Sequence, residues 1–400
     1  MGFFKPVLAF VAIAVAIILL SGLITLIPGN PDVLSSPLPQ NNIDLPPPAI
    51  SVLQNQIQTS PPEVAPNSLL LPVNEQQTAP TPTAVPTLVL QPTPSQDDPG
   101  VFEPVPNPNI TTCAEIWEVR EIPFNLPLVL EYPRSIDELK TEYNYYYLAA
   151  MLIQNKAVDA SQCPFNGLQT ITTANQCGVE VARPVILEWQ NMYDAKLFET
   201  GVNFGVPARL LKRVFALESQ FWPGIYIDIL ESGFGQLNET GADALLMYSP
   251  RFFGQFCPTV LHPTTCDLGY LGVGATGQRL LRGALVRAVD ASCPTCPMGI
   301  NTNRALVSIP LFAEVVKANC SQVGQIVQNT TEKKPGQVAD YVDLWKITMA
   351  NYNAGPGCTI RAVQDAWDED DTVITWDDVS KFFNDPECQS APFYVSDLFK

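Results

Sequence analysis

Histidine is almost missing from this chain of 400 residues: His262 is the single one. A Ser-His-Asp triad would have to use it, and a His-rich metal site is excluded. Basic residues are also scarce: Lys and Arg number 22 against 40 Asp and Glu, a formal net charge of −18. Nucleic acid is therefore not an expected partner, because a polyanion releases no counterions from another polyanion. No Gly-rich phosphate loop followed by Lys occurs, and strand-like alternation of apolar and polar residues is rare. Between Lys5 and Arg120 there is no Lys or Arg at all. Cysteine is absent from the first 112 residues, although ten follow.

What is present divides the chain in three. Val7 to Ile27 is almost unbroken apolar sequence, broken only by Ser21, Gly22 and Thr25. At about 1.5 Å per residue it matches a bilayer core of roughly 30 Å. Lys5 precedes it and no basic residue follows for a long stretch, which keeps the short N-terminus in the cytoplasm and sends the rest across. A cleaved signal peptide is the alternative, but Leu26-Ile27-Pro28-Gly29-Asn30 is a poor cleavage site, so residues 1–29 are read as a retained transmembrane anchor. Residues 30–108 read as a Pro-rich spacer: over half of the 38 prolines lie before residue 110, among few charges and aromatics. Such a chain is extended and buries no core.

Residues 109–400 have ordinary globular composition and read as mainly α. Ser135 with Glu138 has the form of a capping box ahead of the apolar positions Tyr143, Tyr146, Tyr147, Ala150, Met151 and Ile153. Val181–Phe198 and Val206–Ser219 are further helical stretches. The even cysteine count behind an export signal reads first as disulfides. Proximity alone favours Cys257 with Cys266. Cys293-Pro-Thr-Cys296 reads as a structural disulfide, with a redox pair or half a zinc site as alternatives; no second CxxC or nearby His completes a metal site. No cofactor and no metal is expected.

The informative segment is Gly205-Val206-Pro207-Ala208-Arg209-Leu210-Leu211-Lys212-Arg213-Val214-Phe215-Ala216-Leu217-Glu218-Ser219. Pro207 suits a first helical position. Leu211, Val214 and Phe215 share a face, and Glu218 is the next member of that stripe. A carboxyl on an apolar stripe is desolvated, which raises its pKa toward what a general acid at neutral pH needs. A helix-end Glu paired with an Arg would give the same pattern.

This segment resembles the opening motif of the soluble lytic transglycosylase catalytic domain, a lysozyme-like fold: Gly-Val-Pro, then Leu-Leu-Lys, then Glu-Ser. Gly233-Phe234-Gly235-Gln236-Leu237 is similar to the second motif of that family, at its usual spacing of 15 residues from Glu218. Asn351-Tyr352-Asn353-Ala354-Gly355-Pro356-Gly357 is similar to the third. The resemblance spans roughly residues 200–367, with Ile300–Val316 similar to the helix between the second and third motifs. Two departures stand out. Gly235 replaces the usual Met, and about 115 residues separate Gln236 from Tyr352, around twice the family's spacing. The surplus implies disulfide-pinned loops around the cleft and an insertion between Cys320 and Asp343.

The resemblance implies cleavage of peptidoglycan strands between N-acetylmuramic acid and N-acetylglucosamine, outside the cytoplasm. Glu218 would protonate the glycosidic oxygen and then take the proton of the muramoyl C6 hydroxyl, closing a 1,6-anhydro ring. Tyr352 would place its hydroxyl near Glu218, while Gln236, Asn353 and Ser219 would contact or orient the sugar, with Trp222 and Tyr226 as stacking platforms. Gly355-Pro356-Gly357 reads as a helix stop and turn. A lysozyme-like hydrolase is the alternative, with Asp228 or Glu231 positioning water; inversion needs a second carboxylate roughly 6.5–9.5 Å from the first. A non-catalytic wall-binding module is the other.

Overall fold

The structure, a computed structural model, describes residues 102–226 and 231–400. The expected anchor, most of the spacer and Asp228 lie outside the described residues. Among the described residues no helix is long and apolar enough to cross a membrane.

The described chain is mainly helical. Its longer helices are α1 (Tyr146–Gln154), α2 (Gln176–Asn191), α3 (Asp194–Phe204), α4 (Ala208–Glu218), α5 (Glu239–Tyr248), α6 (Pro250–Phe256), α7 (Gly274–Val289), α8 (Thr302–Thr331), α9 (Tyr341–Glu369) and α10 (Ser390–Leu398). One small hairpin, β1 (Leu168–Thr170) with β2 (Thr173–Ala174), pairs antiparallel between α1 and α2. Four of these helices, α2, α5, α8 and α9, start on side-chain caps that satisfy otherwise orphaned amides. Asn175 accepts from Gly178 N at 2.9 Å, Asn238 from Gly241 N at 2.9 Å, Asn301 from Arg304 N at 3.1 Å and Asp340 from Asp343 N at 2.8 Å.

α8 is the axis of the fold. Ile309, Leu311, Phe312, Ala313, Val315, Val316, Cys320 and Val323 are all buried, on more than one side of the helix. A helix apolar nearly all round is an interior helix. It packs against α9, α5, α3 and α7. α4 lies in the same core, with Leu210, Leu211, Val214 and Phe215 buried and the Phe215 ring 5.5 Å from that of Phe312.

All ten cysteines pair: Cys113–Cys320, Cys163–Cys177, Cys257–Cys266, Cys293–Cys296 and Cys358–Cys388. Cys113–Cys320 closes a sequence separation of 207 residues and fixes the first turn of the folded chain onto α8. Beside it the indole of buried Trp117 donates to the Cys320 carbonyl at 2.9 Å.

Several local expectations shift. Ser135 makes no side-chain cap, and the helix after it is a single 3-10 turn, Ile136–Leu139. Glu138 donates its amide to Ser135 O at 3.2 Å, and its carboxylate accepts from Arg134 N at 3.1 Å and from Arg209 at 2.7 Å, so no reciprocal box with Ser135 forms. The apolar helix starts only at Tyr146. The stretch Val181–Phe198 is two helices with a break at Met192–Tyr193. Pro207 is the N-cap of α4 and not its first residue. α8 runs on through Cys320 to Thr331, so part of the expected insertion is helix. The packed chain also reaches back before residue 109. Phe102 lies edge-on to Phe252 and Phe256 at 5.5 and 5.1 Å, and Val105 N donates to the Gln255 side chain at 2.9 Å.

Candidate active site

Glu218 is the last residue of α4, where the helix carbonyl end disfavours an anion. Its side chain is only partly open to solvent. Burial pushes its pKa up to about 7, the nearby Tyr394 hydroxyl pulls it down, and the Glu231 carboxylate pushes it up again. The Tyr394 hydroxyl falls short of full hydrogen-bond geometry and is otherwise buried without a partner.

The loop after Glu218 folds back to bring the second motif beside it. Ser219 is buried, and its hydroxyl donates to Phe234 O at 2.8 Å and Phe215 O at 3.2 Å. Ser219 therefore joins the end of α4 to the Gly233–Gln236 turn, its hydroxyl committed to backbone carbonyls. Trp222 is also inward: it is buried and stacked on Trp189, centroids 6.0 Å apart and planes 16° apart, so its ring is not an open platform. Tyr226 stays half-buried at the site, its ring 4.2 Å from that of Tyr147. Burial, Glu218 and Glu231 push its hydroxyl up to about 12. Glu231 is thus brought to Glu218 and Tyr226; Asp228 is among the residues not described.

A second loop clamps this one. Ser292 Oγ accepts from Ile225 N at 3.0 Å, and Ala291 N donates to Pro223 O at 3.0 Å. The Cys293–Cys296 disulfide closes the turn that follows.

Gln236 has φ 52°, a left-handed backbone, in a turn where Gly233 has φ 75°. Its amide donates to Gly233 O at 2.9 Å, and its Oε1 is buried without a partner. The Tyr352 hydroxyl donates to the Gly235 carbonyl. Gly235 has no room for a side chain: a Cβ would lie 2.5 Å from Tyr352 Oη and 2.6 Å from the Phe312 ring. Tyr352 and Phe312 fill that space. Burial and Glu218 hold the Tyr352 hydroxyl well above its usual range.

The third motif is a kink and not a stop. Gly355 has φ 79° and ψ 170°, and the helix resumes at Pro356. Asn353, just before it, accepts from Ser390 Oγ at 3.1 Å and so fastens the start of α10. The Cys358–Cys388 disulfide ties the segment leading into α10 to the far side of the kink. These two ties set Tyr394 over Glu218.

Tyr394 is the site residue that motif reading misses, since it lies beyond the matched stretch. A signal exists: Ala391, Tyr394, Val395 and Leu398 fall at helical spacing and are all buried. A tyrosine on that stripe needs a partner for its hydroxyl.

The cations of α4 make no anion site. Arg209 pairs with Glu131 and Glu138, Arg213 donates to Asp397 O at 2.8 Å, and Lys212 is buried against Asp194 at 2.6 Å. His262 is exposed and bonded to Thr264, so no serine triad is built on it. Among the described residues, one group has metal-ligand spacing, Asp385, Glu387 and Cys388. Its Cys is in a disulfide and its carboxylates pair with Arg361.

No protein-family model, curated protein or solved structure matches this chain.

Proposed function

We propose that this chain is a lytic transglycosylase with a lysozyme-like catalytic domain, cutting peptidoglycan with Glu218 as its one proton carrier. The observation that carries the reading is a carboxyl pushed to about 7 by burial, in a partly open site ringed by the hydroxyls of Tyr226, Tyr352 and Tyr394. A general acid works best with a pKa near the working pH. The three motifs supply the substrate class, and the apolar run at Val7–Ile27 supplies the location: anchored in the membrane, with the catalytic domain outside the cytoplasm.

The chemistry needs one acid that becomes a base. Protonated Glu218 gives its proton to the oxygen leaving the muramoyl anomeric carbon, and the C–O bond breaks. The muramoyl C6 oxygen attacks that carbon from within the same sugar, and its proton returns to Glu218. No second carboxylate and no water enter the balance. The neutral tyrosine hydroxyls around Glu218 suit both steps, since they bond either protonation state without adding charge. Tyr352, fixed on the Gly235 carbonyl, is a positioned partner for the sugar and the carboxyl.

One observation favours the hydrolase reading: Glu231 acts on Glu218, Tyr226 and Tyr352 alike, so a second carboxylate is at the site. Mass spectrometry of muropeptides released from purified cell wall separates the two. The proposal expects 1,6-anhydromuramoyl ends; dominant reducing muramic acid ends, lost in Glu231→Gln, would replace it with hydrolysis. Binding without any release would make the chain a wall-binding module.

A further inference from the structure

The stretch that resembles the transglycosylase motifs begins near residue 200, yet α1 and α2, which precede it, grip the turn that follows Glu218. That turn holds two consecutive left-handed residues, Gln220 with φ 48° and Phe221 with φ 65°, neither of them glycine. Such a backbone persists only where its surroundings hold it.

The grips are specific. Gln220 Oε1 accepts from Tyr147 N at 2.9 Å, in the first turn of α1. Tyr145, which precedes that helix, makes no side-chain cap, so Gln220 supplies one from a distant part of the chain. The Trp189 indole of α2 donates to Phe221 O at 2.8 Å. Farther along the same loop the Tyr147 hydroxyl donates to Tyr226 O at 2.9 Å, with the two rings 4.2 Å apart. Tyr147 is buried, and its single O–H is spent on the backbone of a site residue. One residue of α1 thus holds both ends of the loop, Gln220 through its amide and Tyr226 through its hydroxyl. Tyr226 in turn lies where the Glu218 and Glu231 carboxylates both act on its hydroxyl, and Tyr352 and Tyr394 face Glu218 from α9 and α10.

We propose that Tyr147 is a positioning residue for Glu218: it keeps the loop from Gln220 to Tyr226 closed, so that Tyr226 stays against the carboxyl and limits its access to water. Tyr147 itself touches no substrate. Without its hydroxyl the Tyr226 carbonyl loses a donor, while Ser292 still holds Ile225, so the loop shifts without unfolding. Water then solvates the Glu218 carboxylate and lowers its pKa toward the ordinary value. The acid is less protonated at neutral pH and less well placed, so turnover falls while the rest of the cleft still binds. The effect on turnover rests on the glycan-cleaving reading; the effect on the Glu218 proton does not.

The test uses the full chain in detergent. Tyr147→Phe keeps the ring and removes only the hydroxyl. Gln220→Met keeps the side-chain length and removes the acceptor for Tyr147 N, a second route to the same displacement. Tyr146→Phe, also in α1, removes a hydroxyl that donates to Gln176 of α2 and serves as the control. On soluble peptidoglycan strands kcat should fall about tenfold in Tyr147→Phe and Gln220→Met, with KM within about twofold. The Glu218 titration midpoint, read by ¹³C NMR, should move down by at least about half a unit in both. Tyr146→Phe should match wild type in kcat and in midpoint. A wild-type midpoint or a wild-type kcat in Tyr147→Phe overturns the assignment, whatever its Tm. An equal loss in Tyr146→Phe also overturns it, since α1 would then act as a whole. If wild type releases no glycan, the transglycosylase reading falls, and the midpoints alone decide: lowered in Tyr147→Phe upholds the positioning role, unmoved overturns it.

Discussion

The two sides of Tyr352 are opposites. Toward α10 the site concentrates ionisable groups: Glu218 acts on the protonation of Tyr226, Tyr352 and Tyr394, and Glu231 on that of Glu218, Tyr226 and Tyr352. Toward α5 the lining is neutral amide and small apolar side chains. Both sides are built on the same turn, Gly233–Gln236, and on the same helix, α9. Under the proposed function, proton transfer falls on the ionisable side.

The sharpest way to break this contrast is to silence the acidic side. In Glu218→Gln the side chain keeps its size and one acceptor but cycles no proton, so release of glycan fragments should fall by roughly 10²–10⁴-fold. Binding of peptidoglycan in a sedimentation assay should survive. The same variant reports on stability. A carboxyl whose folded pKa is raised from 4.5 to about 7 contributes its full stability below about 4.5 and loses it as pH rises through about 7. Relative to acid pH, Glu218→Gln should therefore gain on wild type from about pH 4.5 to about 7 and level off above that, by up to about 3 kcal/mol and less for the partial exposure of the group. Thermal melts across pH check this; a constant difference contradicts it.

Gly235→Ala attacks the shared wall. The new Cβ displaces the Tyr352 hydroxyl or the Phe312 ring, an overpacking that costs about 1–3 kcal/mol. Activity should fall about tenfold or more as Tyr352 shifts, with Tm lowered in parallel. Normal activity and Tm would mean that the close fit at Gly235 does not matter.

How far the sequence carries differs between the two sides for a physical reason. Glu218, Gln236 and Tyr352 sit in short local patterns, and the stripe Leu211–Val214–Phe215 already places Glu218 at the edge of a core. What is missed depends on chain contacts distant in sequence. Trp222 looks like a free aromatic until Trp189 covers it, and Ser219 looks outward until Phe234 takes its hydroxyl. Buried Asn351 pairs with Asn319 and Gln322 on another helix, a match no single-helix pattern contains. The Ser135–Glu138 box fails partly at a distance and partly locally, since the Glu138 carboxylate goes to Arg209 of α4 and to Arg134 N, and its amide to Ser135 O. Mainly helical content was legible; the break at Met192–Tyr193 and the kink at Gly355 were not.

The smallest expected effect refines the acidic side. Glu231 raises the Glu218 pKa, so Glu231→Gln should lower the basic limb of the pH–rate profile by a fraction of a unit to about one unit. If Glu231 instead positions a reacting water, its loss abolishes activity at every pH.

Most direct is a titration of the Glu218 carboxyl itself, followed by ¹³C NMR on side-chain-labelled protein, with Glu218→Gln to assign the resonance. The account predicts a midpoint near 7, lower in Glu231→Gln, with the carboxyl still substantially protonated at neutral pH. A midpoint close to 4.5 in the folded protein would contradict it, for Glu218 would then hold no proton to give.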